Sequence, residues 1–145
     1  MEIFYLTGSA KSRLAPQRRS TCLGKETLEK EGKKTDLFGP NPQGQITFDP
    51  NGRISMIITR SDLPKFASNN PHAGTPEENK AVVEGSIAYF GTYTCAIHIE
   101  SSMFPNWIGT NQKRSFTISD DELKWTTPTV SLGSGTALDV WKRAK

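Results

Sequence analysis

The chain has 145 residues, a formal net charge of +3, and many Gly and Pro residues. A chain of this length forms one domain and buries enough surface to fold without a disulfide or a structural metal. The excess of basic residues is confined to about the first 25 positions, so no basic face is evident and we expect no nucleic-acid partner.

The apolar runs are too short for targeting or membrane segments. None approaches the ~20 residues of a membrane span, and IFYL near the start is too short for a signal-peptide core. We therefore expect no membrane association and a cytoplasmic protein.

Cys22 and Cys95 form no CxxC motif, and the spacing of His72 and His98 is not that of metal ligands. Two free thiols are the favoured prediction, with a Cys22–Cys95 disulfide as the alternative. We expect no metal and no cofactor.

Residues 1–32 carry little pattern, and they are predicted to be a poorly organised or disordered N-terminal segment before a domain at 33–145. The acid-poor opening faintly resembles a transit peptide in composition, although a disordered tail is the simpler interpretation. Within KETLEKEGKK (25–34) a helical turn and a solvated, charged strand both fit the pattern, and Gly32 indicates a turn.

Clear strand and turn signals begin after Asp36. The turn cluster FGPNPQG precedes an alternating strand at 45–49. DPNG (49–52) predicts a hairpin, because Pro presets φ and Asn-Gly accepts positive φ. The next strand, RISMIITR, places Ile54, Met56 and Ile58 on one face.

One short helix is predicted at about 75–88. Thr75 and Glu78 have the spacing of a capping box around a proline at the first helical position. The apolar residues that follow at helical spacing, and that predict one apolar stripe, are Val83, Ile87 and Phe90.

Further strands are predicted at 89–101, 114–119, 122–126 and 137–142. Asp120 and Asp121 fit a hairpin tip better than a catalytic carboxylate pair, because a tip lacks the burial that perturbs a carboxyl pKa. Short antiparallel strands with one inserted helix predict a mainly β fold, either a barrel or a strongly bent sheet. A barrel of about eight strands holds side chains or one small ligand.

Several stretches together resemble the lipocalin-like domain family of bacteria and fungi. They cover about residues 33–145 and read DLFGPNPQGQITFDPNGRISMIITR, TPEE with GSIAYFGTYT, FPNWIGTNQKRSF, DELKW and VWKRA. The resemblance implies an antiparallel lipocalin-like β-barrel that binds a small apolar molecule, with some relatives beside secondary-metabolite pathways. Fold alone does not assign a function.

Two features depart from the family's pattern. Relatives usually open with a strand carrying Gly-x-Trp, whereas the corresponding STCLGKETLEK has no tryptophan. Relatives also have a longer hairpin where Tyr93-Thr94-Cys95 here runs into Ala96-Ile97-His98 without turn residues. Either the two strands merge into one long bent strand, or the barrel is incomplete.

The segment HIESS (98–102) contains two polar candidates. Alternation places His98 and Glu100 on one face and the isoleucines at 97 and 99 on the other. If the polar face is inside, the pair orients a ligand or acts as acid and base. If that face is solvated, the isoleucines are part of the core. Alternation favours this second interpretation.

Two more candidates flank the end of the predicted barrel. Arg114 shares a face with Phe116. If that face is inside, Arg114 pairs with a carboxylate such as Glu100 or with an acidic ligand. If Arg114 lies at the rim, its guanidinium is in solvent. In FPNW, Pro105 interrupts the ladder and turns Trp107 onto the barrel end, as a lid or as a plug.

We predict a non-catalytic protein that binds a small, mostly apolar molecule in a β-barrel cavity. Apolar burial supplies affinity, and polar groups supply orientation. The alternatives are an isomerase or cyclase of secondary metabolism in the same cavity, with His98 or Glu100 moving a proton, and a partner-binding or non-functional remnant. The predicted ligand-binding residues are Phe48, Met56, Ile58, Tyr93, His98, Glu100, Trp107, Arg114, Phe116 and Trp125.

Overall fold

A computed structural model describes residues 20–22, 26–128 and 134–143. Within these ranges the chain forms eleven strands, one α-helix and one short 3₁₀ helix at Pro105–Trp107. The strands and the helix, in chain order, are β1 (Ser20–Cys22), β2 (Glu26–Lys30), β3 (Lys33–Asp36), β4 (Gln43–Phe48), β5 (Arg53–Thr59), α1 (Pro76–Glu84), β6 (Ser86–Tyr93), β7 (Ile97–Ser102), β8 (Asn111–Gln112), β9 (Ser115–Ser119), β10 (Glu122–Thr127) and β11 (Thr136–Arg143). The prediction of a mainly β fold with one inserted helix is confirmed.

All pairs of described strands are antiparallel, and together they form one eleven-stranded sheet. The order is β3-β2-β11-β1-β4-β5-β6-β7-β8, and β11 also pairs with β10, which pairs with β9. One edge of β11 is shared by β2 and β1, and the other edge carries β10. Among the described strands the ladders do not close into a ring, so these strands form an open barrel.

Alternation along the strands separates a buried inner face from an exposed outer face. The predicted inward residues Ile54, Met56 and Ile58 are all buried. Phe48 lies 5.3 Å from the ring of Tyr93 and 5.8 Å from that of Trp125, measured between ring centroids. These rings are on different strands, so the inner face is filled by interlocking side chains.

The hairpin between β6 and β7 turns through three residues, Thr94 to Ala96. Tyr93 pairs with Ile97, and the Thr94 N–H donates to the Ala96 carbonyl at 2.9 Å. The expectation that the two strands merge into one is therefore wrong. The turn needs no glycine, because none of its three residues has a positive φ.

The N-terminal end of α1 is formed as predicted. Thr75 Oγ1 accepts from the Glu78 N–H at 3.2 Å, and Glu78 Oε2 accepts from the Thr75 N–H at 2.8 Å. These two bonds satisfy two of the unpaired N–H groups that begin a helix. No helix in the described part of the chain is long and apolar enough to cross a membrane.

The C-terminal end of α1 differs from the prediction. The helix stops at Glu84, where Gly85 allows a tight turn into β6: a Cβ at Gly85 would lie 2.6 Å from Leu63 Cδ2. The predicted apolar stripe is wrong, because α1 buries none of its residues. Ile87 and Phe90 lie in β6 instead.

The first described strands precede the predicted domain boundary. β2 and β3 form a hairpin around Glu31 and Gly32, both with positive φ, which confirms the charged-strand interpretation of residues 26–34. Within the predicted segment 1–32, positions 1–19 and 23–25 lie outside the described residues. β1 pairs with both β4 and β11, and the boundary after residue 32 stays a prediction.

Candidate functional site: an apolar cleft between the helix and the loops

A cleft of about 260 Å³ opens between the C-terminal end of α1, the segment after β3 and the loop after β7. We call it the helix–loop cleft. Val83, Glu84 and Ser86 line its helix side. Its remaining wall is apolar and consists of Leu37, Phe38, Ile87, Met103, Phe104 and Trp107.

The floor of the helix–loop cleft is continuous with the core. Phe38 is buried within the core cluster, and Ile87 and Trp107 pack against that cluster. The outer wall is exposed, with Met103 50% and Phe104 45% accessible. An apolar floor rimmed by exposed apolar side chains is a surface that a small apolar ligand would cover.

Backbone hydrogen bonds fix both ends of the loop after β7. The Met103 N–H donates to the Ala88 carbonyl at 2.8 Å, which ties the start of the loop to β6. The Gly109 N–H donates to the Ile99 carbonyl at 2.8 Å, and Gly109 has φ 78°. Glycine adopts this conformation without steric cost, so the loop returns to β7 and holds its aromatic residues over the cleft.

Trp107 lies at the junction between the cleft and the interior. Its ring meets Tyr89 at 5.9 Å and Phe104 at 5.7 Å, both edge to face. The Arg114 guanidinium carbon is 5.8 Å from the Trp107 ring centroid, a cation–π geometry. Trp107 is partly buried, so it is neither a fully buried plug nor a free lid.

Arg114 is inside, at 9% exposure, so the rim interpretation is wrong. Its guanidinium donates to Gln112 Oε1, and the Gln112 amide donates to Thr110 Oγ1 at 3.2 Å. The predicted pairing with Glu100 is also wrong. Glu100 accepts two hydrogen bonds from Arg53 at 2.5 and 2.9 Å on the outer surface, and these bonds hold the pKa of the Glu100 carboxyl below its usual range.

The inward placement of His98 and Glu100 is wrong, and the structure follows the solvated alternative. Ile97 and Ile99 are 1% and 0% exposed, whereas His98 and Glu100 face solvent. Alternation allows one face of β7 inside, and the isoleucines occupy it because burying them is favourable. The enzyme alternative thereby loses the interior acid–base pair on which it depended.

Six predicted lining residues meet in the interior and pack on one another: Phe48, Met56, Ile58, Tyr93, Phe116 and Trp125. The Tyr93 hydroxyl donates to the Asp49 carbonyl at 2.8 Å, and burial raises the pKa of Tyr93. Of the ten predicted residues, Trp107 is the one that lines the helix–loop cleft. A ligand-binding role for all ten stays a prediction.

Sequence reasoning missed most of the helix–loop cleft. Leu37 directly precedes the turn cluster FGPNPQG, and Phe38 is the first residue of that cluster. Two bulky apolar residues at the end of a charged strand were the available signal. Ile87 was assigned to a helix stripe, although it lies in strand β6. Met103 belongs to no periodic pattern in the sequence that would indicate a place in the cleft.

Candidate ligands for a metal do not converge. The His, Cys, Asp and Glu side chains in the described ranges form no group of three that could hold a metal ion. Cys95 is a free, exposed thiol at the β6–β7 turn. The side chain of Cys22 lies outside the described part.

Comparisons with known proteins agree with this architecture. A family model described as a lipocalin-like domain matches residues 24–144. The 4'-hydroxy-3'-methoxypropiophenone carrier protein ppsC of Aspergillus oryzae is 31% identical over an alignment of 87 residues, which covers 51% of this chain and 78% of that protein. The chain belongs to the lipocalin-like domain family.

Proposed function

We propose that this protein binds a small, mostly apolar molecule without transforming it, and that the helix–loop cleft receives the ligand. The observation that carries the proposal is the continuity between an exposed apolar rim, Met103 and Phe104, and a core-backed floor, Phe38 and Trp107. Membership of the lipocalin-like family and similarity to a carrier protein support the same role.

The size of the cleft favours a compact ligand. Its volume of about 260 Å³ lies just below the roughly 300–1,000 Å³ typical of ligand pockets. A molecule with one aromatic ring and short substituents suits that space. The relative's name specifies a propiophenone with one hydroxyl and one methoxy group, and we propose a phenolic aryl ketone as the ligand class here.

The chemistry of the wall suits such a ring. Phe104 and Trp107 already pack edge to face, and a ligand ring inserted beside them gains the same geometry together with apolar burial. Ser86 Oγ donates to the Val82 carbonyl at 2.6 Å, which leaves its lone pairs to accept a hydrogen bond from a ligand hydroxyl.

Isothermal titration calorimetry with 4'-hydroxy-3'-methoxypropiophenone tests the proposal. Phe104→Ala removes cleft wall, and we expect about tenfold weaker binding, equivalent to ~1.4 kcal/mol. Ile108→Ala is the matched control, because Ile108 is on the same loop, is 49% exposed and does not line the cleft. Its affinity should equal that of the wild type.

Two results would contradict the proposal. Equal losses in the two variants would mean that the loop is disturbed generally and that the cleft is not the site. Failure of the wild type to bind the probe, together with native mass spectrometry showing no added small mass on protein purified from its own cells, would remove the binding role itself.

A further inference from the structure

A chain of polar side chains connects the backbone carbonyl of Trp107 to the ring of the same residue. Thr110 Oγ1 donates to the Trp107 carbonyl at 2.6 Å and accepts from Gln112 Nε2 at 3.2 Å. Gln112 Oε1 accepts from the Arg114 guanidinium, whose carbon is 5.8 Å from the centroid of the Trp107 ring. The contacts therefore form a closed circuit that begins and ends at Trp107. We call Thr110, Gln112 and Arg114 the Trp107 anchor.

The Trp107 anchor is attached to the core of the sheet. Gln112 is 5% exposed and pairs with Ile97, a core residue of β7. Arg114 is buried as well and directly precedes β9. Polar side chains in such places keep their positions, because moving away from their partners would leave buried polar groups unsatisfied. The anchor therefore ties Trp107 to the core, although Trp107 itself is on the loop after β7.

The three anchor residues are all described, and none of them lines the helix–loop cleft, whereas Trp107 does. Their connection to a ligand in the cleft therefore passes through Trp107. Trp107 is only partly buried, so packing restrains its ring less than it restrains a core side chain. A side chain that is ordered before binding loses less conformational freedom when a ligand packs on it, and this preorganisation increases affinity.

We propose that Thr110, Gln112 and Arg114 are positioning residues that hold the Trp107 side chain in place before a ligand arrives. They increase affinity without contacting the ligand. This inference rests on the proposed function and adds residues outside the cleft that determine how well the cleft binds. Arg114 thereby acts through the face of an aromatic ring, by a cation–π contact, and not through a charge pair with the ligand.

Isothermal titration calorimetry with 4'-hydroxy-3'-methoxypropiophenone tests the hydroxyl of Thr110. Thr110→Val removes it at nearly constant volume, and the bond from the Thr110 N–H to the Trp107 carbonyl, at 3.0 Å, remains. We expect about fivefold weaker binding, the effect of one lost hydrogen bond. Thr110→Ser is the matched control, because it keeps the hydroxyl, and its affinity should stay within about twofold of the wild type.

A double-mutant cycle separates positioning from a general loss of stability. Trp107→Ala removes the ring that the anchor holds, so adding Thr110→Val to Trp107→Ala should change affinity by less than about twofold. An equal fivefold loss with and without the Trp107 ring would overturn the inference, because the hydroxyl would then act on binding by another route. The proposed binding function would remain.

Arg114→Lys tests the other end of the circuit and covers the case in which Thr110→Val does not fold. Lysine keeps the positive charge but lacks the planar guanidinium that reaches both Gln112 and the Trp107 ring. We expect about threefold weaker binding, again lost in the Trp107→Ala background. Wild-type affinity in Arg114→Lys would remove Arg114 from the proposed anchor.

The ligand-free protein gives a readout that does not depend on binding. In ¹H–¹⁵N spectra, Thr110→Val should shift or broaden the indole signal of Trp107 and leave those of Trp125 and Trp141 in place, whereas Thr110→Ser should change none of them. An unchanged Trp107 signal in Thr110→Val would overturn the positioning role. Failure of the wild type to bind the probe would instead remove the proposed function, and with it the effect of the anchor on affinity.

Discussion

The interior of the sheet and the helix–loop end are stabilised by different interactions. The interior buries large side chains such as Phe48, Trp125 and Trp141. α1 buries no residue and depends on polar contacts, chiefly those of the Glu78 carboxylate. Burial of apolar surface contributes about 25 cal/mol per Å², so the interior supplies most of the stability. The helix–loop cleft lies on the boundary, where apolar surface is available and rearrangement is less costly.

The largest expected effect is in the interior. Phe48→Ala should lower the free energy of unfolding by ~3–5 kcal/mol, because it leaves a cavity between the rings of Tyr93 and Trp125. Phe90→Ala is the matched control, since Phe90 is 45% exposed on the outer face, and it should cost less than ~1 kcal/mol. Urea unfolding measures both variants, and similar losses of unfolding free energy would contradict the comparison.

The residue at the boundary should give an intermediate effect. Trp107→Ala removes edge-to-face contacts with Tyr89 and Phe104. We expect it to lower the free energy of unfolding by about 2 kcal/mol, because the ring is only partly buried. Urea unfolding measures it. A loss near that of Phe48→Ala would make Trp107 part of the interior, and a loss under ~0.5 kcal/mol would place it with the exposed rim of the cleft.

Much of the strand pattern could be predicted from the sequence, because local chemistry determines it. DPNG gives a turn in which the Asn51 N–H donates to Asp49 Oδ1 at 2.6 Å, and β4 and β5 alternate on either side. The turn at residues 94–96 could not be predicted from turn chemistry. Its strands are positioned by distant contacts, including the hydrogen bond from the Tyr93 hydroxyl to Asp49.

The candidate site was less predictable, because its parts are distant in sequence. The segments 37–38, 83–87 and 103–107 each contribute residues to the cleft, and the folded sheet brings them together. Alternation in β7 correctly separated His98 from Ile97 and favoured the solvated face for His98, which the structure confirms. Trp141 was read as part of a closing strand, and its burial beside Trp125 depends on the register of β10 with β11.

The smallest expected effect is at the helix end, where Glu78 joins α1 to the preceding loop. Its carboxylate accepts from the Ala67 N–H and the Thr75 N–H, both at 2.8 Å, and these bonds hold the pKa of Glu78 below its usual range. A lowered pKa in the folded state stabilises the fold above the unfolded pKa of about 4.3. That contribution is lost as the pH falls through the folded value.

The Ala67 amide reports this titration directly. In ¹H–¹⁵N spectra recorded from pH 6 downward, its shift should follow Glu78 with a midpoint below that of an ordinary glutamate. Glu78→Gln should abolish the transition, and Glu77→Gln, which removes the same charge from the same helical turn, should preserve it. Global unfolding should change little in either variant, because α1 buries no side chain. A midpoint at or above the ordinary value would mean that Glu78 does not connect the loop to the helix.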